Sequence, residues 1–290
     1  MGKTASDFSL SPEQLTGLRN EAASAVAGCC QCAVRKDGQQ AASGKIAQLR
    51  ADGTTPNGQS DSKWTGEVIV NADRAKGNVY VITMMRVINK TADTTTYPGT
   101  RTLTDAVVNE RSTKIPPAVR KAWNTRPYRL KITDDVCGER DFKVEFNVEM
   151  VSSGGHYEVD FVNVDGMGTQ NDPLGIKSGR SYVLPPDRAK FNLGDSRSAT
   201  DNSGASTLEP HEYGHMIGLK DEYHDEAANR GGCRYTFPDG STEAVGANGE
   251  LMGSMSHKSA RPERYCITIA YTVISVLASN GINVTACEIH

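Results

Sequence analysis

The sequence predicts an α+β fold with a mixed or antiparallel sheet, a helix that carries a metal-ligand motif, and a C-terminal helix. Segments rich in β-branched residues lie mainly within residues 63–200, and the motif helix and the C-terminal helix follow them. In the clearest strand, 142–151, apolar and polar residues alternate, which indicates one buried and one polar face. With 290 residues the chain is long enough to enclose a core around such a sheet.

Residues 1–62 form an N-terminal region of different composition. A helix begins at Ser11, with Pro12 at its first position and Gln14 completing a capping box. A Cys-Cys-Gln-Cys cluster and a polar connector follow, and a short helix is expected at 46–49 within the connector.

Residues 63–290 form the main domain, strand-rich over 63–200. A hairpin loop at 152–155 is expected to join two neighbouring strands. The second half, 201–290, contains the motif helix, polar loops at 224–258 and the C-terminal helix.

Charge and hydropathy restrict the partners. The formal net charge is −3, from 32 basic and 35 acidic residues, without a basic cluster, so we expect no nucleic-acid partner. No apolar stretch reaches the roughly 18 residues that span a bilayer. The N-terminus lacks the apolar segment of a signal peptide, so export would need another route or a leader removed beforehand. A protein, peptide or small-molecule partner is expected.

Cysteine is frequent for a cytosolic protein. The seven cysteines comprise a cluster, Cys29, Cys30 and Cys32, and a dispersed set, Cys137, Cys233, Cys266 and Cys287. The dispersed set favours disulfides and an oxidising compartment. Free buried thiols and a second metal site are the alternatives.

The chemistry is concentrated in the sequence His-Glu-Tyr-Gly-His at 211–215. On a helix, His211 and His215 lie one turn apart on one face, so that both imidazoles reach one ion. Glu212 points to the side, where it can take a proton from a metal-bound water. The pattern therefore predicts a Zn²⁺ site with Glu212 as the catalytic base.

The chain after the second histidine extends the motif to HExxHxxGxxD. Gly218 can adopt the left-handed conformation that ends a helix and turns the chain back. Asp221 is then placed to be the third metal ligand, with the fourth position open to water.

This stretch resembles the metzincin branch of the zincin metallopeptidases, and most closely the snapalysin-like motif with an aspartate ligand. The resemblance covers roughly 206–265 and implies a zincin-like fold and peptide-bond hydrolysis. It also implies a methionine turn beneath the metal, for which Met252 is the first candidate and Met255 the second.

The third ligand has an alternative. Gluzincin peptidases take a glutamate from a downstream helix, and Glu263 in Ala-Arg-Pro-Glu-Arg-Tyr fits that role. Asp221 would then orient a histidine instead of binding the metal. Glu222 and His224 are further alternatives.

Related enzymes stabilise the oxyanion with a tyrosine or histidine, and Tyr223 and Tyr265 are the candidates here.

The resemblance implies a zinc-dependent endopeptidase acting on a protein or peptide, in the form of a secreted or injected bacterial toxin such as a type VI effector. A secretion-system carrier and a cognate immunity protein are its implied partners. It would be secreted or delivered to another cell's periplasm without a signal peptide, or else be cytoplasmic. The alternative is a zinc-stabilised binding or adaptor protein of a secretion system, without peptidase activity.

Overall fold

The structure is a computed structural model that describes residues 10–24, 32–38, 45–52, 63–72, 76–194, 208–225, 229–246, 250–254 and 262–290. The strands are β1 (Cys32–Lys36), β2 (Ile46–Gln48), β3 (Glu67–Ala72), β4 (Lys76–Asn89), β5 (Arg129–Asp134), β6 (Gly138–Met150), β7 (Tyr157–Val162), β8 (Tyr182–Leu184), β9 (Arg188–Asn192), β10 (His224–Asp225), β11 (Arg230–Gly231), β12 (Cys233–Thr236), β13 (Thr242–Val245) and β14 (Val284–Ile289). The helices are α1 (Pro12–Ala23), α2 (Asp105–Ser112), α3 (Ile115–Asn124), α4 (Leu208–Met216), α5 (Leu251–Ser254) and α6 (Ile267–Ser279), and a 3-10 turn (Glu263–Cys266) precedes α6.

Strand β4 organises a nine-stranded mixed sheet. Its first part pairs in parallel with β6 on one side and antiparallel with β3 on the other, and its last part pairs in parallel with β7. The sheet continues through β5 to β14 at one edge and through β9 to β8 at the other, while β1 pairs with β3. A large mixed sheet with few helices agrees with the expected α+β class.

The hairpin expected at 152–155 is wrong. Strands β6 and β7 both run parallel to β4, and the chain passes from one side of β4 to the other at Met85, which aligns with both Met150 and Tyr157. An alternating pattern identifies the buried face of a strand but not the neighbour that completes its hydrogen bonds. Because β4 has 14 residues, it is long enough to serve two successive strands.

Helix α1 covers one face of the sheet. Its capping box is confirmed: Ser11 Oγ accepts from the Gln14 N–H at 3.2 Å, and Gln14 Oε1 accepts from the Ser11 N–H at 2.7 Å.

Leu15 of α1 packs with a small group of sheet residues, Ile69, Tyr80 and Ile82. Alternate residues of a strand face opposite sides, so Val68 and Val70 face the larger core on the other side.

The larger core holds the motif helix α4 in contact with both α3 and the sheet. Trp123 of α3 is fully buried, lies 5.2 Å from Phe146 between ring centroids, and donates from Nε1 to the Pro210 carbonyl at 3.1 Å. From the sheet, the Tyr157 hydroxyl donates to the Met216 carbonyl at 2.9 Å. Both ends of α4 are therefore fixed by side chains of other elements.

Two predictions of local structure are wrong. The segment 46–49, expected as a helix, contains β2, which pairs antiparallel with β12. The region 224–258, expected as loops, contains β10 to β13 and α5. A four-residue stretch is too short to distinguish a helical from a strand period, and its partner strand lies far along the chain. The N-terminal region 1–62 thus contributes β2 to a small sheet and β1 to the main one.

The C-terminal helix lies where the sequence predicts it. Its 3-10 turn follows Pro262, and α6 ends at Ser279 before Asn280 and Gly281. Within the described ranges, no helix is long and apolar enough to cross a bilayer.

The dispersed cysteines agree with the expected disulfides at one position and with the alternative of free buried thiols at three. Cys137 is disulfide-bonded, whereas Cys233, Cys266 and Cys287 are buried free thiols. Cys29 and Cys30 lie outside the described residues.

Candidate metal centre

Helix α4 presents the two motif histidines side by side. The ring centroids of His211 and His215 are 4.8 Å apart, as the four-residue spacing on a helix requires. His211 is buried and His215 is partly buried, so the pair lies where the core meets the solvent-exposed surface.

The helix ends directly after His215 in a Schellman motif. The Gly218 N–H donates to the His215 carbonyl at 3.0 Å, and the Leu219 N–H donates to the Gly214 carbonyl at 2.9 Å. Gly218 has φ +91°, a conformation that L side chains rarely adopt, and a β-carbon there would lie 3.1 Å from the Trp64 ring. The chain therefore reverses at Gly218 as predicted.

The reversal brings Asp221 back to the two histidines. Asp221 Oδ1 lies 3.3 Å from His211 Nε2 and 3.2 Å from His215 Nε2. One ligand atom from each of the three residues lies within 4.8 Å of the others, so the group could hold a metal ion.

Backbone carbonyls orient both imidazoles. His211 Nδ1 lies 2.8 Å from the Leu251 carbonyl oxygen, and His215 Nδ1 lies 2.9 Å from the Leu219 carbonyl oxygen. A carbonyl only accepts hydrogen bonds, so each Nδ1 carries the hydrogen and each Nε2 presents a lone pair. Metal-binding histidines are oriented in this way.

The chemistry of the three atoms fits a cation. Asp221 Oδ1 is buried and has no hydrogen-bond partner among the described residues, because the two nitrogens that it faces present lone pairs. Three electron-pair donors converge on one point, where a bound cation would satisfy all of them.

Glu212 lies beside the group and not in it. It follows His211 on α4 and is 4% exposed, yet its carboxylate is not one of the converging ligand atoms. This is the placement that a base acting on a bound water needs.

Met252 packs directly against α4. A β-carbon on Gly214 would lie 2.3 Å from Met252 Sδ, so the sulfur fills the space that only glycine leaves open at this turn. Met252 belongs to α5, whose Leu251 carbonyl orients His211. Met255, the second candidate, lies outside the described residues.

A buried charged network supports the segment after Asp221. Glu222 is fully buried and lies 2.7 Å from Arg264 Nε, and it also accepts from Tyr265 at 3.1 Å. The Tyr265 hydroxyl in turn accepts from the Met252 N–H at 2.9 Å. Glu222 and Tyr265, candidates for a ligand and an oxyanion stabiliser, are therefore engaged in structural contacts.

Glu263, the alternative third ligand, is exposed at the start of the 3-10 turn. In the part of the chain that the structure describes, only Asp221 joins the two histidines in a ligand group. The side chain of His224 lies outside the described residues.

Three further residues lie near Asp221, namely Tyr223, Arg180 and Arg230. Tyr223 accepts a hydrogen bond from Arg180 Nη2 at 2.5 Å, and burial, with a contribution from Asp221, raises the pKa of Tyr223 to about 12. Arg230 Nη1 lies 3.3 Å from Asp221 Oδ2. The sequence analysis does not identify Arg180 or Arg230, because neither lies in a recognisable motif.

Comparisons with known proteins give no match: no family model, no curated protein and no solved structure is similar to this chain. The interpretation of the site therefore depends on its own geometry. That geometry shows a group able to bind a metal and does not identify which metal.

Proposed function

We propose that the protein is a zinc-dependent endopeptidase. The observation that carries the proposal is the convergence of His211 Nε2, His215 Nε2 and Asp221 Oδ1, with both Nδ1 atoms bonded to carbonyls. Two imidazoles and one carboxylate suit Zn²⁺. Three protein ligands leave a fourth position for water, as in catalytic and not structural zinc sites.

Zinc held there would supply a Lewis acid that polarises the substrate carbonyl and lowers the pKa of a bound water. Glu212 accepts the proton of the attacking water and returns it to the leaving amine. Tyr223 donates a hydrogen bond to the oxygen of the attacked carbonyl. We assign this role to Tyr223 because the Tyr265 hydroxyl is held between Met252 and Glu222.

We further propose that the fold around the site is zincin-like and of the metzincin type. Two features support this: the reversal at Gly218 that supplies Asp221, and the packing of Met252 under α4. The disulfide at Cys137 supports work in an oxidising compartment, as expected of a secreted or injected bacterial toxin.

The test replaces the proposed base, Glu212, and keeps the three proposed metal ligands unchanged. Wild-type protein should bind one zinc per chain and hydrolyse a denatured protein substrate. Glu212→Gln should keep the zinc and lose roughly 10²–10⁴-fold in kcat, because proton transfer contributes that much. Zinc content is measured by elemental analysis, and cleavage by mass spectrometry.

Glu263→Gln, which removes an exposed carboxylate outside the ligand group, is the matched control and should retain full activity. Full hydrolysis by Glu212→Gln would refute the proposed role of Glu212. Zinc binding with no hydrolysis by the wild type, and a biological effect that survives Glu212→Gln, would favour the zinc-stabilised adaptor.

A further inference from the structure

Arg180 stands at the lip of the candidate metal centre, beside Tyr223. Arg180 lies in the segment between β7 and β8, is exposed, and donates to the Tyr223 hydroxyl at 2.5 Å. Burial lowers the pKa of Arg180, but the nearby Tyr223, Asp221 and Glu212 raise it above its ordinary value. The guanidinium therefore lies within electrostatic range of both the proposed base and the third ligand.

The residues on both sides of Arg180 are held by one buried residue, Asn192. Asn192 is fully buried, and its Nδ2 donates to the Gly179 carbonyl at 2.7 Å. The Asn192 N–H donates to Ser181 Oγ at 2.9 Å. The residues before and after Arg180 are thus both tied to β9.

A buried ion pair holds the rest of this segment. Lys190 Nζ lies 2.8 Å from Asp172 Oδ2, and both side chains are almost completely shielded from solvent. Asp172 Oδ1 also accepts from the N–H groups of Leu174 and Ile176, at 3.0 and 3.1 Å. Such internal bonding holds the segment in one conformation, so Arg180 is positioned before any ligand arrives.

The charge at this lip suits an anion. Arg180 and Arg230 flank the group from the side of Asp221, and Arg230 is 41% exposed. A guanidinium has five N–H donors in a planar fork that matches a carboxylate, and Arg180 uses one of them for Tyr223. Within the described residues the Arg180 side chain makes no other hydrogen bond, so its remaining donors can bind a carboxylate that lies beside the metal centre.

We propose that Arg180 is a specificity residue that binds a carboxylate of the peptide substrate next to the scissile bond. This inference rests on the proposed peptidase function. The carboxylate has two sources: an acidic side chain of the substrate, or its free C-terminus.

The experiment compares matched peptides on the zinc-loaded protein. One pair differs by Glu against Gln beside the scissile bond, and the other by a free against an amidated C-terminus. The wild type should favour the carboxylate member of one pair by about 10-fold or more in kcat/KM, mainly through KM. In Arg180→Gln this ratio should fall close to one, and Arg180→Lys should restore part of it because the charge returns.

Arg129→Gln is the control, since Arg129 is a half-exposed arginine on β5 paired with Asp141; it should leave the ratio unchanged. A ratio near one in both pairs for the wild type, or one unchanged by Arg180→Gln, would overturn the proposal. If no peptide is hydrolysed, the peptidase function fails, and calorimetric binding of the same pairs then decides. A carboxylate preference that Arg180→Gln abolishes supports the site, and equal binding refutes it.

Discussion

Asp221 turns a pair of histidines into a three-ligand group. Its Oδ1 is buried without a hydrogen-bond partner, at 3.2 and 3.3 Å from two Nε2 atoms. An unsatisfied buried polar atom costs about 1–3 kcal/mol, a cost that a bound cation would offset. Because the turn at Gly218 returns residue 221 to the histidines, the conformation of one glycine places the ligand.

Substitutions at Asp221 and at Glu263 test which of the two residues is the third metal ligand. Asp221→Ala should weaken zinc binding by more than about 100-fold, because loss of a direct ligand exceeds the effect of losing an outer partner. Glu263→Ala should leave zinc affinity unchanged, since that side chain is exposed and outside the group. Competition with a chromophoric chelator measures both, and the reverse pattern would make Glu263 the ligand.

At the scale of elements, the contact between α4 and α5 aligns the site. Leu251 of α5 orients His211 through its carbonyl, and Met252 fills the space at Gly214. The 3-10 turn adds Tyr265, whose hydroxyl accepts from the Met252 N–H. Two short elements, α5 and the 3-10 turn, thus fix the helix on which the histidines stand.

A double-mutant cycle tests this packing. Gly214→Ala should destabilise the protein by about 1–3 kcal/mol, because the new methyl overlaps the Met252 sulfur. In a Met252→Ala background the same change should be neutral or stabilising, since alanine favours a helix by about 1 kcal/mol over glycine. Urea unfolding measures all four proteins, and additive effects would show that the two residues are not in contact.

The elements that the sequence predicts best are those set by neighbouring residues. The capping box of Ser11 and Gln14 forms as predicted, because its hydrogen bonds join residues three apart. The ligand group follows from the spacing that ends at Asp221. The partners of β6 and the strand at 46–49 could not be predicted, because they depend on segments distant along the chain. The position of Arg180 beside the site could not be predicted for the same reason, because its neighbour Tyr223 lies in a different segment.

At the scale of the whole molecule, the disulfide at Cys137 adds a covalent constraint to the described fold. Cys137 lies in the turn between β5 and β6, whereas Cys233, Cys266 and Cys287 are free thiols. A cross-link of this kind stabilises mainly by restricting the unfolded chain.

Reduction of the disulfide at Cys137 should therefore lower the stability of the folded protein, with no substitution required. A phosphine reductant should lower the free energy of unfolding of the wild type by about 2–4 kcal/mol, and Cys137→Ser should show a similar loss. The variant should then be insensitive to the reductant, which serves as the control. Equal stability of oxidised and reduced wild type would contradict a structural disulfide.

The two carbonyls that orient the histidines have a consequence for how the centre tolerates sequence change. A side-chain carboxylate in that position can be lost in one mutation, whereas the acceptors here are main-chain oxygens of Leu219 and Leu251. Residues 219 and 251 can therefore vary among apolar types of similar size while both imidazoles keep their tautomer and direction. The orientation of the centre is encoded in the path of the backbone, so insertions and deletions near these positions threaten it more than point substitutions do.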